Sequence, residues 1–207
     1  MMKIKILKNK EELNNLAPLE ITHLLWGTKS IPRTYFYIGF IPEDGFYVRM
    51  VCEEKDPLRT YTEDFDPVYR DSAMEAFFQF IPEQEVYLNF EVNANGALLA
   101  AYGPSRVYRS YFSKEDMAMF QCRTEIEEDR WTASIRIPLS VLEHILRGTF
   151  IQSRRYHLLQ LLQNFRDKRR GTLCSVCTDS FFHSVFPSAG IFCFCNIGII
   201  CIRRIYF

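Results

Sequence analysis

The chain has 207 residues, of which 48% are hydrophobic and 24% charged, a balance typical of a globular protein that excludes a disordered or fibrous chain. Its 25 Lys and Arg residues equal its 25 Asp and Glu residues in number, which excludes a nucleic-acid binder dominated by phosphate contacts. The aromatic content of 15% favours β structure.

The zero net charge is the sum of two unlike regions. Residues 1–150 hold 17 Lys and Arg against 23 Asp and Glu, whereas residues 151–207 hold 8 Lys and Arg against only Asp167 and Asp179. We therefore divide the chain into a domain over residues 1–150 and an atypical tail over residues 151–207. The first residues lack the apolar core and cleavage site of a secretory signal, which predicts a cytoplasmic protein.

Hydrophobic periodicity predicts a short helix and then a series of hairpins. A helix over residues 10–16 ends before Pro18, because proline cannot continue the hydrogen-bond ladder. Paired strands are expected at 35–40 and 46–52, at 74–80 and 86–92 with a further partner at 97–102, and at 117–126 and 131–137. A short helix over 140–146 is expected to end at Gly148. This spacing predicts an all-β fold, an antiparallel, jelly-roll-like β-sandwich with short flanking helices.

One predicted strand has a polar face. Its apolar residues at positions 86, 88, 90 and 92 alternate with Tyr87, Asn89, Glu91 and Asn93, and Glu75 lies in the neighbouring strand. Carboxylate and amide groups on a sheet suit the hydroxyl groups of a sugar, and an aromatic ring suits its C–H face. The candidate stacking rings are Tyr69, Tyr87, Trp26 and Tyr102. A purely structural face with ordinary cross-strand pairs is the alternative.

The sequence supports an enzymatic function less well than sugar binding. The four histidines lie in no recognisable catalytic motif, and no glycine-rich phosphate loop occurs. The densest acidic group contains Asp64, Asp66, Asp71 and Glu75. It is typical of a solvated loop, but it could also bind calcium or supply an Asp71–Glu75 pair for glycoside hydrolysis.

Three segments stand in an informative order: DPVYRDSAMEAFF at 66–78, YLNFEVNANG at 87–96 and WTASIRIP at 131–138. Together they resemble the stand-alone carbohydrate-binding family 9-like domains of bacteria, over about residues 20–150. The resemblance implies a β-sandwich that binds sugar without catalysis and, in some relatives, binds calcium. It implies that Tyr69 is an aromatic platform, that Glu75 accepts a sugar hydroxyl and that Asn89 contributes a further contact. Trp131 is expected in the core.

The family pattern is missing after Phe150. Synonymous codons can be chosen for residues 160–164 (QLLQN) that give Asn-Phe-Tyr-Lys when they are read one nucleotide later. Codons chosen in the same way for residues 168–174 (KRRGTLC) give Lys-Glu-Glu-Glu-His-Phe. The family pattern expects both of these segments after the short helix. We therefore predict that the tail is out of frame. The alternatives are a zinc site formed by cysteines of the tail, and a membrane anchor over 181–202 that Pro187 and Asn196 interrupt. A membrane partner is not expected.

Overall fold

The computed structural model of the protein describes residues 3–21, 30–80 and 85–150 and three short strand segments at 172–174, 193–195 and 198–200. In chain order the strands are β1 (Lys3–Ile6), β2 (Leu19–Glu20), β3 (Thr34–Ile41), β4 (Gly45–Cys52), β5 (Ala73–Phe78), β6 (Tyr87–Asn93), β7 (Leu98–Gly103), β8 (Ser110–Tyr111), β9 (Arg123–Ile126), β10 (Trp131–Pro138), β11 (Thr172–Cys174), β12 (Cys193–Cys195) and β13 (Gly198–Ile200). The helices are two 3-10 helices, Lys10–Asn15 and Val68–Arg70, and the α-helices α1 (Lys114–Met119) and α2 (Leu139–Phe150).

The strands form two sheets that pack as a β-sandwich, which confirms the predicted fold class. The first sheet has the order β11-β1-β3-β4-β10-β9 with β2 paired to β3, and the second has the order β12-β13-β5-β6-β7-β8. Most neighbouring strands are antiparallel, as expected, but β1 pairs with β3 in parallel. The sequence reading did not predict β1, because its Lys-Ile alternation is short.

The core lies between the two sheets and is rich in phenylalanine. Alternate residues of β3, β4 and β10 face alternate residues of β5, β6 and β7. Phe90 makes edge-to-face contact with Phe120 at 4.8 Å between ring centroids, and Phe112 contacts Phe120 at 4.9 Å. Each fully buried phenylalanine side chain stabilises the fold by about 1.5–3 kcal/mol relative to exposure. This core fixes which side of each strand is left for other roles.

The predicted hairpins agree with the structure, with two corrections. The strand expected at 117–126 is wrong in its first half, where α1 stands and β9 begins only at Arg123. The helix forms because Ser113 and Asp116 make a capping box, each side chain bonding the other residue's backbone N–H. The expected stop at Gly148 is also wrong, since α2 continues to Phe150. Among the described residues no helix combines the length and apolar character needed to cross a membrane.

Candidate functional site

The outer surface of the second sheet carries the polar side chains predicted from the sequence. The strand register places Glu75 opposite Glu91, and Asn89 between Phe77 and Ala101. Tyr111 of β8 lies opposite Ala101 in the same row. We call this surface of β5, β6, β7 and β8 the polar face. The alternation of β6 thus has the predicted orientation, with Leu88 and Phe90 in the core.

Asn89 lies near the centre of the polar face and is almost fully buried, with 1% of its surface exposed. Its Oδ1 accepts a hydrogen bond from Nη1 of Arg109 at 3.2 Å. Because a guanidinium group only donates, the amide oxygen must face Arg109, and Nδ2 points elsewhere. Nδ2 has no hydrogen-bond partner among the described residues. A buried donor without an acceptor costs about 1–3 kcal/mol, so a ligand that supplied an acceptor would be favoured.

Arg109 reaches Asn89 because the loop before β8 lies close against β7. Gly103 makes this approach possible, since a β-carbon there would lie 2.3 Å from the carbonyl oxygen of Tyr108 and 2.6 Å from the Cα of Arg109. Ala101 is the residue of β7 between Asn89 and β8. Small residues in β7 therefore let the arginine side chain cross towards β6.

Tyr87 lies on the same strand face as Asn89 but is buried, with 2% exposure, and its ring packs on that of Phe77 at 5.8 Å. Burial raises the pKa of its hydroxyl to about 12; the charge of Glu75 also raises it, whereas Arg109 and Arg106 lower it. Tyr87 is consequently a buried part of the face, and its ring is not available for stacking.

Glu75 and Glu91 form a directly opposed pair on β5 and β6 and are 6% and 5% exposed. Opposed residues on antiparallel strands have their Cβ atoms about 5 Å apart, and like charges at that distance are unfavourable. Their carboxylate oxygens are good acceptors for hydroxyl hydrogens. The pair therefore provides the acceptor side of the polar face.

Tyr69 stands beside this face on the 3-10 helix Val68–Arg70, which contacts β5 and β6. Its half-buried ring packs against the small apolar cluster of Val68, Ala97 and Leu99. Leu99 belongs to the row that contains Glu75 and Glu91. The predicted platform and the predicted carboxylate acceptor are thus brought to the same side of the sheet.

Asp71 holds the loop that carries Tyr69. Its Oδ2 accepts hydrogen bonds from the backbone N–H groups of Thr60 and Tyr61 at 2.8 and 2.9 Å, and from Nδ2 of Asn93 at 2.7 Å. Asn93 is fully buried, and its Nδ2 also donates to the carbonyl oxygen of Tyr61. These bonds fix the loop over residues 60–71 to the end of β6.

Two other acidic residues of this loop also accept N–H groups. Asp64 Oδ1 accepts the backbone N–H of Leu98 at 3.0 Å, and Asp66 Oδ2 accepts that of Glu63 at 3.2 Å. Calcium needs six to eight oxygen ligands, and one oxygen each of Asp64, Asp66 and Asp71 is already directed at N–H groups. No group of three or more Asp, Glu, His or Cys side chains in the described residues is arranged to hold a metal ion. Calcium binding stays a prediction.

The sequence reading missed an exposed aromatic pair at the β8 end of the polar face. The rings of Phe65 and Tyr111 meet edge to face at 6.1 Å and are 36% and 55% exposed. Phe65 has a φ of +70°, which is rare for a bulky residue, and its N–H donates to the carbonyl oxygen of Leu98 at 3.0 Å. Strained residues concentrate at functional sites, so the conformation of Phe65 marks this edge as a second candidate platform.

The remaining predicted residues have mixed outcomes. The prediction that Tyr102 is a stacking ring is wrong. Its position in β7 directs the side chain to the core, where its ring packs on that of Phe112 at 5.1 Å between centroids. Trp26 lies outside the described residues, as do the side chains of the tail cysteines. Trp131 is in the core with 1% exposure, as expected, and its Nε1 donates to Oε2 of Glu54 at 3.3 Å.

The Asp71–Glu75 pair considered for hydrolysis is poorly arranged for that reaction. Asp71 and Glu75 are four residues apart on extended backbone, about 13 Å between Cα atoms, so their carboxyl groups come close only if both side chains lean towards each other. Glycosidases place their two carboxyl groups about 5–9.5 Å apart. Asp71 is moreover engaged in holding the loop. The geometry thus favours a binding surface over this catalytic pair.

Comparison with known proteins agrees with that view. The sequence model of carbohydrate-binding family 9 matches residues 6–143. The fold is similar to the crystal structure of a Bacteroides uniformis protein described as a candidate carbohydrate-binding protein, with a TM-score of 0.56 and 19% identity over 68% of this chain and 73% of that one. At this identity the likeness shows the fold alone. None of the curated proteins matches the chain by sequence.

Proposed function

The chain belongs to carbohydrate-binding family 9, and from that premise we propose that its polar face binds a sugar without cleaving it. The observation that carries the proposal is the buried Nδ2 of Asn89, which has no acceptor among the described residues. A sugar hydroxyl can accept from this group and donate to a carboxylate such as Glu75 at the same time. Few other small ligands combine both properties around one ring.

The aromatic residues beside the polar face support the same proposal. Tyr69 would offer its ring to the C–H side of a pyranose, while Glu75 and Asn89 bind the hydroxyl groups. Aromatic side chains with an apolar face and a polar tip suit a ligand that is itself apolar on one side and polar on its rim. Phe65 and Tyr111 would border the ligand at the β8 end.

A glycan array followed by calorimetry tests the proposal. We expect at least one glycan to bind, and we expect Tyr69→Ala and Glu75→Ala each to lower the affinity about tenfold or more, as for a residue at the centre of an interface. Glu125→Ala on exposed β9 of the first sheet is the matched control and should leave the affinity unchanged.

The same experiment separates the competing functions. Release of reducing sugar during incubation would indicate a glycoside-processing enzyme and contradict the proposal. Absence of binding to every glycan would favour a protein-interaction sandwich instead. Unchanged affinity in both variants would show that the glycan binds outside the polar face.

We also propose that residues 151–207 are out of frame with the domain. Supporting this, the family match ends at residue 143, before the charge balance changes sign. The nucleotide sequence of codons 145–165 tests it directly. A single-nucleotide change that restores an acidic segment and the Asn-Phe-Tyr-Lys pattern is the expected result, and a coding sequence that no such change restores would refute the idea.

A further inference from the structure

We propose that the sugar bound by the polar face is acidic, a pyranose that carries a carboxylate. Arg109 binds this carboxylate, and Asn89 donates one of its two Nδ2 hydrogens to it and the other to a ring hydroxyl. The inference rests on the proposed function and names the class of its ligand. It follows from the donors and acceptors that the polar face presents in two neighbouring rows.

The donors are concentrated at Arg109 and Asn89. A guanidinium group has five N–H donors, and Arg109 makes one hydrogen bond with the described residues, the bond to Asn89. None of the ion pairs among those residues involves Arg109. The Nδ2 of Asn89 is a further donor, buried and without an acceptor. A half-buried arginine with most of its donors unused is suited to a planar anion, because a carboxylate accepts two parallel N–H bonds.

The acceptors lie one row away. Glu75 and Glu91 occupy the next outward-facing positions on β5 and β6, and two residues along a strand span about 7 Å. A neutral sugar can donate its hydroxyl groups to these carboxylates but offers no charge to Arg109. A uronate offers hydroxyl donors on one side of the ring and an anionic acceptor on the other. Its carboxylate would lie away from Glu75 and Glu91, so that repulsion is limited.

The structure also fixes the orientation of Arg109. The contact of Gly103 with the backbone of Tyr108 and Arg109 holds the start of the side chain. The bond to Asn89 holds its end. A group held at both ends loses little conformational entropy on binding, which favours its use in recognition. Arg106, on the same loop, adds positive charge near the Tyr87 hydroxyl.

Calorimetry on the full chain with matched sugars tests the inference. The probes are glucose with glucuronate and galactose with galacturonate, since each pair differs by the carboxylate. We expect one uronate to bind about tenfold more tightly than its neutral partner, the gain typical of a charge-assisted hydrogen bond, and the preference to shrink as salt is raised. Arg109→Gln should remove the preference, and Arg123→Gln, the same charge change on exposed β9, should not.

The outcomes distinguish the inference from the proposed function. Equal binding of neutral and acidic sugars that still depends on Tyr69 would overturn the acidic ligand and leave the sugar function intact. Equal weakening of both classes by Arg109→Gln would assign Arg109 to holding Asn89 and also overturn the inference. Tighter binding of galactose 6-phosphate than of galacturonate would show that the anionic group bound by Arg109 is a phosphate and would overturn the carboxylate. No binding by any sugar would contradict the proposed function and the inference with it.

Discussion

The outer faces of the two sheets carry similar residues but use them differently. On the first sheet Tyr35 and Tyr37 lie side by side, and the guanidinium groups of Arg33 and Arg49 cover their rings at 4.7 and 4.5 Å. Arg33 also bonds Glu20 at 2.6 Å and Glu53 at 2.8 Å, and Arg49 donates to Asn14. On the polar face, by contrast, the rings of Phe65 and Tyr111 are exposed and Arg109 has unused donors.

This difference teaches that residue type alone does not identify a binding surface. Tyrosine, arginine and glutamate occur on both sheets, and those of the first sheet are largely satisfied by one another. Nε of Arg49 on the first sheet is also a buried donor without a partner among the described residues, so the polar face differs by its exposed rings and by the unused donors of Arg109 and Asn89. The predictions that follow test whether this difference has functional consequences, in order of decreasing expected effect.

The largest effect is expected from Asp71→Ala, which removes the anchor of the loop beside the polar face. The N–H groups of Thr60 and Tyr61 and Nδ2 of Asn93 would lose their shared acceptor. We expect the free energy of unfolding to fall by about 1.5–3 kcal/mol, the range for hydrogen bonds to a charged group, because Nδ2 of Asn93 keeps the carbonyl oxygen of Tyr61 as an acceptor. Urea denaturation measures this. Asp129→Ala in an exposed turn should cost less than about 0.5 kcal/mol, and equal losses for the two variants would contradict the role of Asp71.

A smaller effect, confined to binding, is expected from Tyr111→Ala. Because the ring is more than half exposed, stability should hardly change. Affinity for the glycan found in the array should fall about three- to tenfold, the value of one aromatic contact. The matched variant Tyr37→Ala removes a ring of the first sheet that Arg49 already covers, and should leave the affinity unchanged. A larger loss of affinity with Tyr37→Ala than with Tyr111→Ala would show that the glycan binds the first sheet.

Alkaline pH should reveal the burial of Tyr87. Burial raises its pKa in the folded protein to about 12, above the value of about 10 in the unfolded chain. The contribution of this shift is therefore fully present below pH 10 and is lost as the pH rises towards 12. At pH 11 the loss is about 1 kcal/mol, as one pKa unit corresponds to 1.36 kcal/mol. Urea denaturation between pH 9 and 11.5 should show a shallower decline for Tyr87→Phe. Identical slopes would mean that Tyr87 ionises as in the unfolded chain.

The smallest effect is expected from Arg33→Gln on the first sheet. This arginine is about half exposed and pairs with Glu20 and Glu53. Exposed ion pairs and cation–π contacts contribute little to stability because water screens them. We expect a small loss of stability in urea denaturation at low salt, reduced at high salt, with unchanged glycan binding. A loss of binding would show that the first sheet contributes to the site.

Much of the fold could be predicted from the sequence because period-two patterns are local. The alternation of β6 predicted correctly that Asn89 and Glu91 share one face and Leu88 and Phe90 the other. The same reasoning misread residues 117–122, where the capping box of Ser113 and Asp116 was the signal for a helix. It also placed Tyr102 on the wrong side, since a stacking role was inferred from residue type without counting its register from Leu98.

The parts of the site that could not be predicted depend on contacts between distant segments. Arg109 donates a hydrogen bond to Asn89, which lies twenty residues earlier in the chain. This contact requires the loop before β8 to lie against Gly103. Phe65 meets Tyr111 only because the loop before Asp71 is held to β7 through Leu98. Such pairs leave no periodic signal. The Gly103-Pro104 turn followed by Arg109 and Tyr111 was the one local hint that this segment could carry functional side chains.

The central claim is that the polar face holds the sugar through a donor the protein leaves unpaired. Side-chain amide NMR signals, assigned to Asn89 by comparison with Asn89→Asp, test it most directly during titration with the glycan found in the array. We predict that the Asn89 amide signal shifts and saturates with the calorimetric affinity, while that of Asn14 beside Arg49 on the first sheet stays in place. Saturable binding that leaves the Asn89 signal unmoved would contradict the account.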